Sequence, residues 1–371
     1  MNLSYWEIKS WFQHVDFTII GSGIVGLNCA IHIKQRFPKA NILVLEKGML
    51  SQGASTKNAG FACFGSLSEI LSDLESHSEE EVFNLVKKRY DGLQLLRNLL
   101  GDIAIDYQNH GGYELFAEED KELYNECFSE IKRINSLLFP IFKQDLFDVK
   151  SNAFNFKNIH TKYIFNSLEG QIDTGRMMLA LLKKAQVLGI KILNTVEVLK
   201  FHEDNSLVKV ETNELEITTS KLVIATNGFA SQLINENVKP ARAQVLITKP
   251  VENLHIKGTF HLHRGYYYFR NIDNRILLGG GRNLDLEGEE TMEFGQTLLV
   301  QNKLETLLKE TILPDIPFEI EHRWSGIMGL GNQKKALVKQ LSNNVYCGVR
   351  LGGMGIAIGS LIGKELSDLI T

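Results

Sequence analysis

The sequence predicts an α/β protein, α+β overall, with a mostly parallel sheet interleaved with a second, mostly antiparallel one. Three observations predict it. A short β-branched, apolar run at 15–20 (VDFTII) ends in Gly21-Ser22-Gly23-Ile24-Val25-Gly26 and runs on into an apolar-periodic stretch through Arg36, which reads as strand, glycine turn and helix. A second apolar run at 41–45 closes on Glu46. Buried-strand patterns return at 221–225 and 344–349, on either side of a strand-rich stretch at 242–282, so one sheet draws its strands from separated parts of the chain.

The elements follow in order. The start, MNLSYWEIKSWFQHVD, lacks a basic segment followed by an apolar run and does not read as a secretory signal. Tyr5, Trp6, Ile8, Trp11 and Phe12 recur near helical spacing, which predicts a short amphipathic helix docked by core packing. Residues 67–101 read as helical. Residues 103–117 read as strand, turn at Gly111-Gly112, and strand. Residues 118–138 are helical again, and 147–172 are irregular and polar. A helix at 174–188 stops at Gly189. Residues 190–201, 208–212 and 215–218 read as strands of a hairpin layer, and 221–225 as a buried strand ending in Thr226-Asn227-Gly228. Residues 291–309 read as helix, 344–349 as strand and 355–369 as the closing helix. Two interleaved domains result, one from 1–78, 165–235 and 320–371, the other from 79–164 and 236–319.

Composition narrows the function classes. With 371 residues, 44% hydrophobic and 23% charged, the chain is globular with a large core. Lys+Arg number 40 against 44 Asp+Glu, a net charge of −4, so a basic nucleic-acid footprint is absent. Cys29, Cys63, Cys127 and Cys347 are far apart with no CxxC, which argues against a disulfide framework and against a metal site. No apolar run reaches the length of a membrane span, and the expectation is a soluble, cytoplasmic protein.

In GSGIVG each glycine has its own task. Gly21 turns the chain out of the strand, Gly23 lets backbone N–H groups approach a pyrophosphate, and Gly26 allows close packing of helix on strand, with the helix N-terminus facing the phosphates. Glu46, 20 residues after Gly26, stands where an acid accepts hydrogen bonds from ribose hydroxyls.

Further segments carry a family resemblance over nearly the whole chain. Gly53-Ala54-Ser55-Thr56-Lys57-Asn58-Ala59-Gly60, Asn194-Thr195-Val196-Glu197-Val198, Ala225-Thr226-Asn227-Gly228, Pro240-Ala241-Arg242-Ala243-Gln244, Gly279-Gly280-Gly281 and Arg350-Leu351-Gly352-Gly353-Met354-Gly355-Ile356 occur in the order found in the FAD-dependent D-amino-acid oxidase/glycine oxidase (DAO) superfamily. The chain resembles that superfamily, which also contains sarcosine oxidases and bacterial amine and hydroxy-acid dehydrogenases. The resemblance implies a Rossmann-like FAD-binding domain of three ββα layers and a substrate domain on the antiparallel sheet. It assigns FAD to Gly21, Gly23, Ile24, Val25, Gly26, Glu46 and Lys47, to Ser55, Thr56, Asn58, Ala59 and Gly60 beside the pyrophosphate and flavin, and to Val198 at the adenine. Thr226, Asn227 and Gly228 form a second dinucleotide contact, and Gly352, Gly353, Met354, Gly355 and Ile356 lie at the pyrimidine edge of the flavin.

The chain departs from the family where carboxylate-binding arginines are usual. Met328 follows Trp324-Ser325-Gly326-Ile327, and Gly353 stands inside the last glycine loop; Gly331-Asn332-Gln333-Lys334 replaces an Asp-x-x-Pro. Arg350 stands where the family has glycine and reads either as reaching flavin or substrate or as a structural pair. Tyr266, Tyr268 and Arg270 alternate along one strand and share a face, a wall suited to a small polar substrate or ordinary sheet packing. Glu69 and Asp73, one helical turn apart, read as a solvated face or as an amine-binding pair. Lys57 reads as a phosphate or flavin contact or as solvated, and no catalytic acid or base is identified. The resemblance implies oxidation of a small amine or amino-acid-like substrate by hydride transfer to flavin N5, with hydrolysis of the imine and oxygen or a quinone-type carrier as acceptor. Two alternatives stay open: a 2-hydroxy-acid dehydrogenase of the same fold, and a flavoprotein that serves a larger partner.

Overall fold

Branched and aromatic side chains favour extended backbone, and Val15–Ile20 forms the strand on which the first sheet is built. The computed structural model describes residues 2–204 and 206–370. The strand pairs in parallel with Ile42–Leu45 on one side and Glu216–Ile224 on the other, so Ile20 lies between Leu45 and Ile224. Lys191–Leu193 and Val345–Val349 extend the parallel set at its two ends, and antiparallel Leu337–Gln340 closes one edge. A hairpin of Val198–Asp204 and Leu207–Thr212 pairs with the first part of Glu216–Ile224.

Side chains alternate between the faces of a strand, and the two faces of this sheet feed two cores. Ile19, Val44, Val223 and Tyr346 meet the helices Ile24–Arg36, Thr174–Val187 and Gly355–Leu369. Ile20, Leu45, Leu222 and Ile224 meet Val208, Val210 and Ile217 of the hairpin layer. The three-layer stacking of hairpin, sheet and helices is as expected.

The second sheet has eight strands in the order Ile320–Leu330, Lys239–Thr248, Arg275–Gly280, Tyr267–Ile272, Thr259–Leu262, Gly112–Glu114, Lys162–Asn166 and Phe147–Ser151. Every pair is antiparallel except Thr259–Leu262 with Gly112–Glu114. Phe260, Phe269, Leu278 and Leu304 share its core with helix Leu298–Leu307.

Several sequence expectations are corrected. Ile320–Leu330 belongs to the second sheet, where Trp324 lies opposite Val245, so the third nucleotide-side segment starts after it. Helix Glu79–Leu100 goes with the nucleotide side: a Cβ at Gly92 would stand 2.3 Å from the Ala357 carbonyl oxygen of the last helix. Residues 103–117 are a helical turn, Asp102–Ile105, and only one strand, Gly112–Glu114; Ile105 is buried while Ile103 stays 89% exposed, with no strand beside them to pair. The polar stretch 147–172 holds three strands, Phe147–Ser151, Lys162–Asn166 and Gly170–Gln171. The first lies at a sheet edge with only Phe147 buried, so no apolar alternation marks it. Residues 215–225 form one strand, Glu216–Ile224, rather than two. Its polar middle is where the strand changes partners, and Thr219 pairs with both Val208 and Val15. The helix expected from 291 starts at Leu298, because Gly295 has φ +148° and the preceding residues cross the mouth of a cleft. At the N-terminus Trp11 and Phe12 pack on the core, but Tyr5, Trp6 and Ile8 face solvent, Trp6 at 70% exposure.

Candidate active site

The two sheets enclose a cavity of about 1250 Å³, larger than the roughly 300–1,000 Å³ usual for one drug-sized ligand. Its floor begins at the exit of the first strand. Gly21 has φ +101°, and a Cβ there would lie 2.9 Å from the Ala225 carbonyl oxygen. A Cβ on Gly26 would fall 2.0 Å from the Gly21 carbonyl oxygen, so Gly26 serves helix packing and does not itself line the cavity. Gly23 caps helix Ile24–Arg36 without a side-chain acceptor of its own. Ser55 Oγ accepts the Ile24 N–H at 2.9 Å, and the following N–H groups face the cavity with the partial positive charge of the helix end.

Glu46 is buried at the end of the second strand and has two tasks. It lines the cavity, and its carboxylate also organises the glycine turn: Oε2 accepts the Ser22 N–H at 3.0 Å and the Ser22 hydroxyl at 2.7 Å, and Oε1 accepts the Gly48 N–H at 3.0 Å. Lys47 lies 2.6 Å from Glu197 in an ion pair at the cavity edge, close in sequence to Val196 and Val198, which also line it.

In the 53–60 segment Ser55, Asn58, Ala59 and Gly60 line the cavity, whereas Thr56 turns inward and donates to the Ser51 carbonyl at 2.6 Å. The Asn58 side chain is spent on loop structure, accepting from Gly60 N–H at 2.8 Å and from Thr174 Oγ1 at 2.9 Å. The loop is tied to the second sheet by Trp324, whose Nε1–H donates to the Lys57 carbonyl at 2.9 Å. Thr226 and Asn227 line the cavity, and the buried Thr226 Oγ1 has no partner among the described residues. Gly228 instead packs on the Met328 carbonyl, 2.5 Å from where its Cβ would be.

At the far end Gly352 and Gly353 have φ +62° and +84° and lead into helix Gly355–Leu369, whose N-cap Met354 makes no side-chain capping bond. Gly352 through Ile356 all line the cavity. A Cβ on Gly359 would meet Ile24 at 2.6 Å and one on Gly363 would meet Val25 O at 2.8 Å. These bare positions let the last helix lie against the first, so the N-termini of both open on one cavity.

The substrate-side candidates separate. Tyr266 and Tyr268 line the cavity, and burial pushes the Tyr268 phenol up to about 12. Arg270 is not on the wall. Its guanidinium donates to the Ile172 carbonyl at 3.0 Å behind Gly60, and burial lowers it to about 10. Arg350 is not on the wall either, which corrects the substrate reading. With φ +65° it turns away and donates to the carbonyls of Lys335 and Asn237, each at 3.1 Å. Met328 and Gly353 face each other, Sδ lying 3.5 Å from a Cβ on Gly353. Lys57 and Glu69 line the cavity, while Asp73 is buried and paired with Lys334.

Sequence reasoning missed His261 and Glu169. His261 lines the cavity beside Phe61, with its Nε2 2.6 Å from Glu169 Oε1, which also accepts from Thr259 Oγ1 at 2.7 Å. Burial opposes charge on this imidazole, but the Glu169 carboxylate outweighs it and raises His261 to about 9. The spacing of Thr259 and His261 puts them on one strand face; nothing local points to Glu169, 92 residues away. No group of His, Cys, Asp and Glu suited to a metal ion occurs among the described residues.

The residues fit a flavin dinucleotide: two helix N-termini on one cavity, a buried unpartnered Thr226 hydroxyl, and glycines whose side chains would fill the cradle. Comparisons agree. The family model described as DAO, FAD dependent oxidoreductase, matches residues 16–369. A probable oxidoreductase OrdL of Haemophilus influenzae is 21% identical over 96% of this chain and 83% of its own length. L-proline dehydrogenase of P. horikoshii superposes with TM-score 0.75 at 17% identity, over 96% of this chain and 93% of that one. Glycine oxidase of Bacillus cereus superposes with TM-score 0.73 at 18% identity, over 96% and 94%. The chain belongs to the DAO family of FAD-dependent oxidoreductases, and FAD is its cofactor.

Proposed function

We propose that this oxidoreductase oxidises the C–N bond of a small amine or amino-acid-like substrate. The observation that carries the reading is the apolar and aromatic part of the cavity wall: Phe61, Tyr268, Met292 and Met328 line it, Phe61 against Tyr268 and Met328 against Gly353, and walls of this kind suit orientation of a small substrate. FAD held there would supply the hydride acceptor at flavin N5 for the substrate's C–H, and the imine left would hydrolyse. Gly21, Gly23, Glu46, Ser55 and Thr226 would hold the dinucleotide, and the N-terminus of Gly355–Leu369 would stabilise negative charge at the flavin's pyrimidine edge. The proline dehydrogenase and glycine oxidase structures, named for amino-acid substrates, support the substrate class.

A hydroxy acid is the alternative substrate class: its oxidation calls for a base to take the hydroxyl proton, and the histidine on the wall, His261, is paired with the Glu169 carboxylate, which favours its charged form. Oxygen or a quinone-type carrier returns the flavin to its oxidised state on this reading. A cytoplasmic site of action is part of the same proposal and rests on four buried cysteines, all free. No helix among the described residues is long and apolar enough to cross a membrane.

The test is anaerobic mixing of the FAD-loaded protein with matched panels of amines, amino acids and 2-hydroxy acids, followed by visible absorption. Bleaching by amines or amino acids is expected; bleaching by hydroxy acids alone would overturn the proposal.

A further inference from the structure

The segment that leads into the first strand carries apolar side chains that its own packing leaves uncovered. Tyr5–Glu7 and Ile8–Phe12 run on as one helical segment. A reciprocal cap opens it: the Ser4 N–H donates to Glu7 Oε2 at 2.7 Å, and the Glu7 N–H donates to Ser4 Oγ at 3.3 Å. Trp11 and Phe12 hold the segment against the hairpin-layer core. Tyr5, Trp6 and Ile8 stay in solvent, at 61%, 70% and 41% exposure. Tyr5 and Trp6 meet edge-on with ring centres 5.3 Å apart, and Lys9 Nζ lies 5.8 and 6.0 Å from the two rings. Large apolar side chains grouped on one ordered segment mark an interaction surface, whereas single exposed ones do not.

The charge around the segment is mostly of one sign. Lys191 Nζ donates to the Ser10 carbonyl of the segment itself. The turn after helix Ile24–Arg36 is tied to its end by Asn41, whose Nδ2 donates to the Gln13 and His14 carbonyls at 3.0 and 3.2 Å. In that turn Lys34 Nζ donates to the Ala40 carbonyl at 2.6 Å, and Lys39 is exposed. None of Lys9, Lys34, Lys39 and Lys191 pairs with a carboxylate among the described residues. The neighbouring acids are engaged elsewhere, Glu7 by Ser4 and Asp16 by the Asn41 N–H at 2.7 Å. On a chain with a net charge of −4, these lysines make a locally positive rim around two aromatic rings.

We propose that the Tyr5–Phe12 segment docks this protein on an anionic lipid bilayer. Tyrosine and tryptophan settle at the headgroup level of a bilayer, and nearby lysines are drawn to anionic lipid. A soluble polyanion would use the lysines and leave Tyr5, Trp6 and Ile8 in water. The hold is a surface one, since no helix among the described residues is long and apolar enough to span. The segment enters the first strand at Val15, whereas the cavity opens at Ile20 and Gly21. The two lie at opposite ends of that strand, about 20 Å apart. Docking thus holds the enzyme from the end away from its cavity, and the inference is independent of which substrate is oxidised.

The experiment uses the FAD-loaded full chain. Sedimentation with vesicles of phosphatidylcholine alone is compared with sedimentation on vesicles that also contain phosphatidylglycerol, and tryptophan emission is read on the same samples. Binding to the mixed vesicles is expected, with little to phosphatidylcholine alone, a loss as salt is raised, and a blue shift in emission as Trp6 leaves water. Lys9→Gln combined with Lys39→Gln should weaken binding about thirtyfold, from about fivefold per lysine. Tyr5→Ser combined with Trp6→Ser should weaken it and abolish the blue shift, since Trp11 and Trp324 are already half-buried. None of these four residues lines the cavity, so flavin content and Tm should stay those of the wild type in both variants. Equal binding to the two kinds of vesicle would overturn the proposal, as would wild-type binding by either double variant. Failure to sediment with mixed vesicles at low salt would overturn it too. Binding of soluble polyphosphate without binding of vesicles would assign the lysines to a soluble anion and end the bilayer reading.

Discussion

His261 Nε2 and Glu169 Oε1 lie 2.6 Å apart with both side chains buried, joining strand Thr259–Leu262 to the turn before Gly170–Gln171 at the cavity wall. Glu69 and Glu114 add to the field on the imidazole. A histidine raised from 6.5 to about 9 on folding contributes stability that is complete below its unfolded value and is lost as pH climbs through the folded one. Thermal unfolding followed from pH 6 to 10 is expected to show stability falling across that window. His261→Gln should flatten the slope, and His261→Ala should cost about 3–5 kcal/mol at neutral pH by stranding a buried carboxylate. An unchanged pH slope in His261→Gln would count against the pair.

Glu46→Ala is expected to weaken FAD binding by about ten- to hundredfold, because the carboxylate both reaches the cavity and holds the Ser22 and Gly48 N–H groups of the turn. Retention of flavin fluorescence in the protein fraction after dialysis is the measurement. Ser22→Ala removes one of the bonds to that carboxylate and should show a smaller loss.

Gly363→Ala should destabilise the fold by about 1–3 kcal/mol, since the added carbon would lie 2.6 Å from Asn28 Cβ and 2.8 Å from the Val25 carbonyl. Gly355→Ala, whose nearest neighbour would be Leu351 at 3.8 Å, should be tolerated. Urea midpoints of the two variants, compared side by side, check the contrast.

Arg350→Ala should lower stability by about 0.5–1.5 kcal/mol, since the solvent-exposed carbonyls of Lys335 and Asn237 lose their donor. The KM for any substrate that bleaches the flavin should not move. A rise in KM with stability intact would return Arg350 to the substrate side.

The nucleotide half of the site was legible because its constraints are local. Gly21 is marked by its own left-handed backbone and Gly26 by the Gly21 carbonyl five residues before it, and Glu46 sits at the end of the next strand. The substrate half was not, because its groups meet across the second sheet. Arg350 lies in the predicted glycine loop but turns away on a left-handed backbone, which no spacing reveals. Arg270 shares the predicted face with Tyr268 and yet is covered by Gly60 from another element. Strand Phe147–Ser151 escaped notice because an edge strand with one buried side chain carries no period-two signal.

The position of Val15–Ile20 at the centre of its sheet has a consequence for biosynthesis. Its neighbour Glu216–Ile224 leaves the ribosome roughly two hundred residues later, about ten to forty seconds at ordinary elongation speeds. For that interval the nascent chain carries an apolar strand with one unsatisfied edge, a template for self-association. Slowed translation upstream of residue 216, or chaperone depletion, is therefore expected to lower the soluble yield of this protein more than that of a chain whose first strands pair with each other.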